Sequence, residues 1–196
     1  TYLAEFPIYT KNVLHGNEEI ISVLLGIFTI GIGVGSLLCE KLSGHKLNMN
    51  LVVIGGIGLS LFTLDFGYAS HGLMTGNILE GENLGIKELI KHNEVLRVFF
   101  DLCVVGLFGG LYCVPLYTMM QEKSEETHRA RMIASNNIMN SIFMVIGSLV
   151  ITILLSKVGM SLPHVFMLFA GLNLIVAGYM AFKIPEIKEK LLKIFK

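Results

Sequence analysis

From Ile20 to Cys39 the chain runs for 20 residues without a charged side chain, IISVLLGIFTIGIGVGSLLC. About 20 apolar residues of α-helix cover the hydrocarbon core of a bilayer. Lipid offers no water to unpaired backbone groups, so a run of this kind must be helical to cross. It stops at Glu40 and Lys41, and Ser43, Gly44, His45 and Lys46 follow, as expected where a helix leaves the membrane. Gly31 and Gly35 stand four apart on one helical face, with Gly33 nearby. Small residues at that spacing let a second helix approach closely in lipid, where tight packing replaces the hydrophobic effect. A dinucleotide-binding glycine loop would need a preceding strand and a soluble helix after it. An uncharged run of this length supplies neither, so the glycines are read as helix packing.

Four further runs have the same character. Asn48–Ala69 carries Gly55, Gly56 and Gly58, with Asp65 in its last third. Val95–Met120 opens with Arg97 and Asp101 four apart, repeats the small-residue spacing at Gly106 and Gly110, and is expected to bend at Pro115. Met132–Ser156 has 25 residues without a charge, but its first half is polar, with Ser135, Asn136, Asn137, Asn140 and Ser141. Leu162–Phe182 has His164 near its start and Asn173 at its middle, and Pro185 stops it. Thr1–Lys11 is apolar and aromatic but too short to span. Pro7 is expected to break a helix there, and Tyr2, Phe6 and Tyr9 suit an interfacial belt. The segment is read as the end of a membrane helix that begins before Thr1.

Between the runs lie polar connections. Asn12–Glu19 is a short turn, with Glu18 and Glu19 placed to meet the positive end of the next helix dipole. In Ser70–Glu94, Leu84, Ile86, Leu89 and Ile90 alternate with Lys87, Glu88 and Lys91, the pattern of a short amphipathic helix on the membrane surface. Gln121–Arg131 is the most polar interior stretch and is expected to be a loop. The expected fold is therefore all-α and polytopic, with five full membrane helices and the end of a sixth. Residues 1–184 form the membrane part, and 185–196 form a basic amphipathic tail.

Only 15% of the residues are charged and 53% are hydrophobic, where a soluble domain has about 25% charged residues. The formal net charge is zero, and no basic stripe interleaved with aromatics suggests nucleic acid. Cys39, Cys103 and Cys113 lie in or beside apolar runs without CxxC or His-rich spacing, so no metal, cofactor or disulfide framework is expected. No charged segment precedes a short apolar core, the form of a signal peptide. Lys and Arg are unequally shared between the two sides. Lys41, Lys46, Lys123, Arg129, Arg131, Lys183, Lys188, Lys190, Lys193 and Lys196 fall on one side, against Lys11, Lys87, Lys91, Arg97 and Lys157 on the other. Excess basic charge marks the cytoplasmic face, which places the Glu40 loop, the Gln121–Arg131 loop and the C-terminus inside.

The order of spans and loops resembles the C-terminal six-helix half of a twelve-helix major facilitator superfamily transporter. In that family the loop after the first full helix of a half often repeats a pattern of glycine, an acidic residue, a basic residue, glycine and further basic residues. Gly35, Glu40, Lys41, Gly44, His45 and Lys46 follow it, with Glu for the commoner Asp and His45 where Arg is usual. The stretches GIGVGSLLCEKLSG, GLFGGLYCVPLYTMMQEKS and HRARMIASNNIMNSIFMV are similar to the bacterial lysophospholipid transporter branch, as fused to an acyltransferase and acyl-carrier-protein ligase. The resemblance implies transport of lysophospholipid to the cytoplasmic leaflet of the bacterial inner membrane for re-acylation. The partners it implies are an N-terminal six-helix half and membrane lipids, with an acyltransferase fused or associated. The tail IPEIKEKLLKIFK resembles the connector into that acyltransferase. No bond-making chemistry is assigned to these residues.

Each candidate residue has a plainer reading. Gly35, Glu40, Lys41 and Gly44 form either a cytoplasmic gate, with Glu40 meeting a helix N-terminus of the other half, or simply a helix end. Asp101 is either paired locally with Arg97 or a functional intramembrane carboxylate. Asp65 is expected to snorkel toward the surface. Asn136 and Asn140 bond neighbouring helices or line a wet cavity, and with Arg129 and Arg131 they could form a polar vestibule for a phosphate-bearing headgroup. Two rival functions stand beside lipid transport. A proton-coupled exporter of amphipaths would use Asp65 or Asp101, and a non-transporting anchor would hold a fused acyltransferase at its lipid.

Overall fold

The structure is a computed structural model that describes residues 2–44, 49–76, 78, 79, 81, 83–125 and 127–183. His45, Lys46 and the 185–196 tail lie outside the described residues. Among the described residues seven helices follow one another: α1 Tyr2–Asn12, α2 Glu18–Ser43, α3 Met49–Thr75, α4 Ile86–Leu89, α5 Asn93–Glu122, α6 Arg129–Ser156 and α7 Leu162–Lys183. Five of them, α2, α3, α5, α6 and α7, are long and apolar enough to cross a membrane.

The packing register gives the direction of each helix. Gly31 of α2 lies against Cys103 of α5, and Gly35, four residues on, lies against Leu107, also four residues on. The two helices therefore run parallel. Conversely Gly55 of α3 meets Tyr112 of α5 while Gly58 meets Phe108, so α3 and α5 are antiparallel. Gly56 meets Ala177 of α7 while Gly67 meets Pro163, so α3 and α7 are antiparallel too. These are the directions expected if α2, α3, α5, α6 and α7 cross the bilayer alternately.

The glycines matter here because backbone meets backbone. A Cβ on Gly106 would stand 2.5 Å from the Phe28 carbonyl oxygen, and one on Gly110 would stand 2.6 Å from that of Ile32. Gly31, Gly35, Gly106 and Gly110 thus share one α2–α5 contact. Between α3 and α7 a hydrogen bond joins the polar residues: Asn173 Nδ2 donates to Ser60 Oγ at 2.9 Å. Bonds of this kind hold helices together in lipid at about 1 kcal/mol each.

The main core lies at the end of the bundle nearest the α1–α2 and α3–α5 connections. Phe6, Tyr9, Val13, Leu24, Phe66, Leu102 and Phe166 are among its buried members. Tyr9 stacks on Phe66 with ring centroids 5.2 Å apart. Ser70 donates its hydroxyl to the Phe66 carbonyl at 2.6 Å. Its single proton is thereby used, so Tyr9 donates to Ser70 Oγ, also at 2.6 Å. Toward the opposite end lies a smaller buried cluster of Cys39, Leu51 and Leu111.

Several expectations are corrected. α1 continues through Pro7, at its middle, instead of breaking there; the ladder gives up the one hydrogen bond that the missing Pro7 N–H would have made. α3 runs six residues past Ala69, because the Ser70 and Thr75 hydroxyls donate to carbonyls one turn back and remain satisfied inside a helix. Arg129 and Arg131 belong to α6, not to the preceding loop. The surface helix is a single turn, α4, and its Leu89 is completely buried in the bundle core rather than turned to lipid. A short parallel bridge between Gly16 and Leu84 ties that connection to the α1–α2 turn.

Candidate functional site

Three polar places among the described residues hold the candidate residues. The first is where α2 ends. Gly44 caps the helix in the left-handed conformation, with φ 56°, and Ser43 Oγ donates to the Glu40 carbonyl at 3.0 Å. Glycine adopts this backbone without steric cost, so the chain turns sharply just beyond Glu40 and Lys41. Both side chains are exposed. Gly35 sits two turns earlier, buried against α5.

The second place is a charged group on α3 and α5. Arg97 pairs with Asp65 of α3 through Nη2 and Oδ1. It forms no ion pair with Asp101, so of the two readings of Asp101 the local pair is not the one observed, and Asp65 is a helix-bridging partner rather than a lone snorkelling carboxylate. Burial explains the choice. Asp101 is only 2% exposed, so meeting it there would strip the guanidinium of its solvation at a cost of several kcal/mol. The Asp65 side chain is 41% exposed and asks no such desolvation. Asp101 therefore stays in the core with its Oδ2 unpartnered, within electrostatic reach of Asp65, Arg97 and Tyr9.

The third place lies between α5 and α6, toward the opposite end. Tyr112, Cys113, Leu116, Tyr117, Met120, Asn136 and Asn140 line a cleft of about 240 Å³. Asn136 and Asn140 both donate to the Tyr117 hydroxyl, each at 3.4 Å. Amide bonds to oxygen usually lie near ~2.9–3.0 Å, so these are long and weak. At ~100° per residue, Arg129 falls on the same face of α6 as Asn136 and Asn140, about 10 Å from Asn136 along the axis. Arg131 falls on the opposite face. Neither arginine lines the cleft itself.

Tyr117 is the member that sequence reasoning missed. The available signal was its phenol in the last turns of an apolar span, at a depth matching the amides across the following loop. Arg97's partner was missed because spacing within a helix says nothing about neighbouring helices. Among the described residues no group of three His, Cys, Asp or Glu is placed to hold a metal ion.

Five membrane-length helices packed through glycine contacts, with charged and amide groups facing one another between them, define a multi-pass membrane protein. Residues 2–195 match the family model of the Major Facilitator Superfamily, and the chain belongs to that family of transporters. Comparison with curated proteins and with solved structures finds no match.

Proposed function

We propose that the chain is the C-terminal six-helix half of a bacterial lysophospholipid transporter, with its substrate route passing the Tyr117–Asn136–Asn140 cleft. The observation that carries this reading is the weak pairing within that cleft. Three polar groups converge across α5 and α6 without strong bonds to one another, and α6 is largely exposed and apolar along its second half. A single-chain amphiphile needs that combination: an apolar wall for the acyl chain, and neutral donors and acceptors for its glycerol and ester oxygens. Arg129, on the same face, would meet the phosphate with paired donors. Arg131 points away and is left out of the route.

In this reading the C-terminus, the Glu40 turn and the α5–α6 connection are cytoplasmic, in the inner membrane. Gly35, Glu40, Lys41 and Gly44 form the cytoplasmic gate against the N-terminal half. Re-acylation is carried out by a fused or associated acyltransferase. The similarity of GLFGGLYCVPLYTMMQEKS and HRARMIASNNIMNSIFMV to the lysophospholipid branch supports the substrate, since those stretches contain Tyr117, Asn136 and Asn140.

Flipping of a fluorescent lysophospholipid in proteoliposomes tests the route. Asn140→Leu removes a hydrogen bond to substrate worth about 0.5–1.5 kcal/mol, so flipping falls roughly 2- to 10-fold. Melting in detergent changes little, because the bond to Tyr117 is long. Unchanged flipping with a lowered melting temperature would make the amides interhelical ties and remove them from the route. A second reading, proton-coupled export of amphipaths, is favoured by one observation, the buried unpartnered oxygen of Asp101. Transport of a lysophospholipid that persists in Asp101→Asn without a proton gradient excludes it.

A further inference from the structure

A cleft at the other end of the bundle has a chemistry that lipid transport does not use. His71 and Met74, three residues apart near the end of α3, share a single cleft of about 480 Å³ with Met160 of the α6–α7 connection and His164 in the first turn of α7. The two imidazoles meet edge to face with ring centroids 4.6 Å apart. His71 Nδ1 is buried and has no hydrogen-bond partner. His164 Nδ1 contacts Ser161 Oγ at 2.6 Å, an orienting contact that leaves its Nε2 available. Gly159, with φ 72°, makes the turn that brings Met160 back over the cleft. The close approach of Gly67 to Pro163 and Met167 holds the ends of α3 and α7 at this distance.

We propose that His71, Met74, Met160 and His164 form a binding site for one soft monovalent d¹⁰ cation, of the Cu(I) or Ag(I) class. With metal–nitrogen bonds near ~2.0 Å and tetrahedral angles, two imidazoles that share an ion have centroids about 5 Å apart. The observed separation needs only a small opening. Thioethers are poor ligands for hard ions and select Cu(I) among the common metals, and here they complete a two-nitrogen, two-sulfur set. Binding releases no redox equivalent and requires only neutral imidazoles. On its other side His71 lines a second cleft with Glu94 and Arg97, where the Arg97 charge is already met by Asp65. The bound ion would fasten the end of α3 to the α6–α7 connection.

The test uses Ag⁺ as a redox-inert probe in chloride-free buffer. The protein is the full chain with Cys39, Cys103 and Cys113 each changed to Ala, because thiolates would compete for the ion. Titration calorimetry should give one Ag⁺ per chain, and saturation should raise the melting temperature. Met74→Leu combined with Met160→Leu keeps the volume nearly constant and should weaken binding at least 10-fold, as should His164→Gln alone. Zn²⁺ should bind far more weakly than Ag⁺. Undiminished Ag⁺ affinity in the double methionine variant would overturn the site. So would Zn²⁺ binding as tight as Ag⁺ and indifferent to both methionines, since a bis-imidazole pair would then suffice. Lipid flipping is a separate assay, so either result leaves the transport reading to stand or fall alone.

Discussion

The α2–α5 contact allows two neighbouring glycines of one helix to be set against each other. A Cβ added at Gly110 would stand 2.6 Å from the Ile32 carbonyl oxygen and 2.8 Å from the Ser36 nitrogen. Carbon meets a carbonyl oxygen comfortably at ~3.3 Å or more, so α2 and α5 must separate by about 0.7 Å or tilt. Both obstacles are backbone atoms and cannot rotate away. Overpacking of this sort costs about 1–3 kcal/mol, which for a chain of this size lowers the melting temperature by roughly 3–10 °C. At Gly109 the only atom near the added Cβ is Leu59 Cδ1 at 3.7 Å, an ordinary contact. Gly109→Ala should therefore be neutral or gain up to ~1 kcal/mol from helix propensity. Melting followed by tryptophan-independent thiol-reactive fluorescence or by size-exclusion in detergent reads both variants at equal expression. Equal melting temperatures for Gly109→Ala and Gly110→Ala would refute close backbone approach as the basis of this interface.

Three further outcomes follow from the charges and the topology. Arg97→Gln leaves Asp65 without its cation and should cost about 1–3 kcal/mol, between the exposed and buried limits for an ion pair. Arg97→Gln with Asp65→Asn should recover most of that loss, and a double variant no more stable than Arg97→Gln alone would show the pair to be uncoupled. In a cysteine-free background, Lys87→Cys should react with an impermeant maleimide in intact cells and Lys123→Cys only after permeabilisation; the reverse pattern would invert the proposed orientation. Glu40→Gln should slow transport several-fold more than Glu40→Asp if the gate works by charge against a helix dipole, an effect of about 0.3–2 kcal/mol. Equal rates would leave Glu40 as a helix end.

The spans were legible because a bilayer imposes one length on every crossing, and 20 residues from Ile20 to Cys39 without a charge satisfy it whatever their neighbours. Gly106 and Gly110 were legible for a related reason: in lipid, small residues one turn apart have few uses besides close packing. Helix ends were less so. Ser70 and Thr75 look like loop residues, yet each returns its hydroxyl to a carbonyl one turn back, and sequence does not show whether that bond will be made. The charged pairs were the least legible. Spacing allowed Arg97 with Asp101 but could not offer Asp65, and it was the desolvation cost of a residue 2% exposed that sent Arg97 to another helix. The same limit applies in the cleft, where Asn136 and Asn140 were visible as a pair but Tyr117, their shared partner, was not.

Packing register also bears on topology by a route independent of the basic-residue count. Glycine contacts that advance together along α2 and α5, and in opposite senses along α3 and α5 and along α3 and α7, fix relative directions from shape alone. A connection from α2 to α5 that contains α3 can keep those two parallel only if α3 crosses back between them. The turn α4, with Leu89 buried in the core, cannot add a crossing because it is one turn long. The α3–α5 connection must then lie at the same end as the α1–α2 turn, as their Gly16–Leu84 bridge also requires. The site of His71 and His164 is thus on the face opposite Glu40 and the Tyr117 cleft. A metal clamp there would join α3 to α7 and the α6–α7 connection, while the lipid route lies between α5 and α6 at the other face, which is why each can be removed by substitution without touching the other.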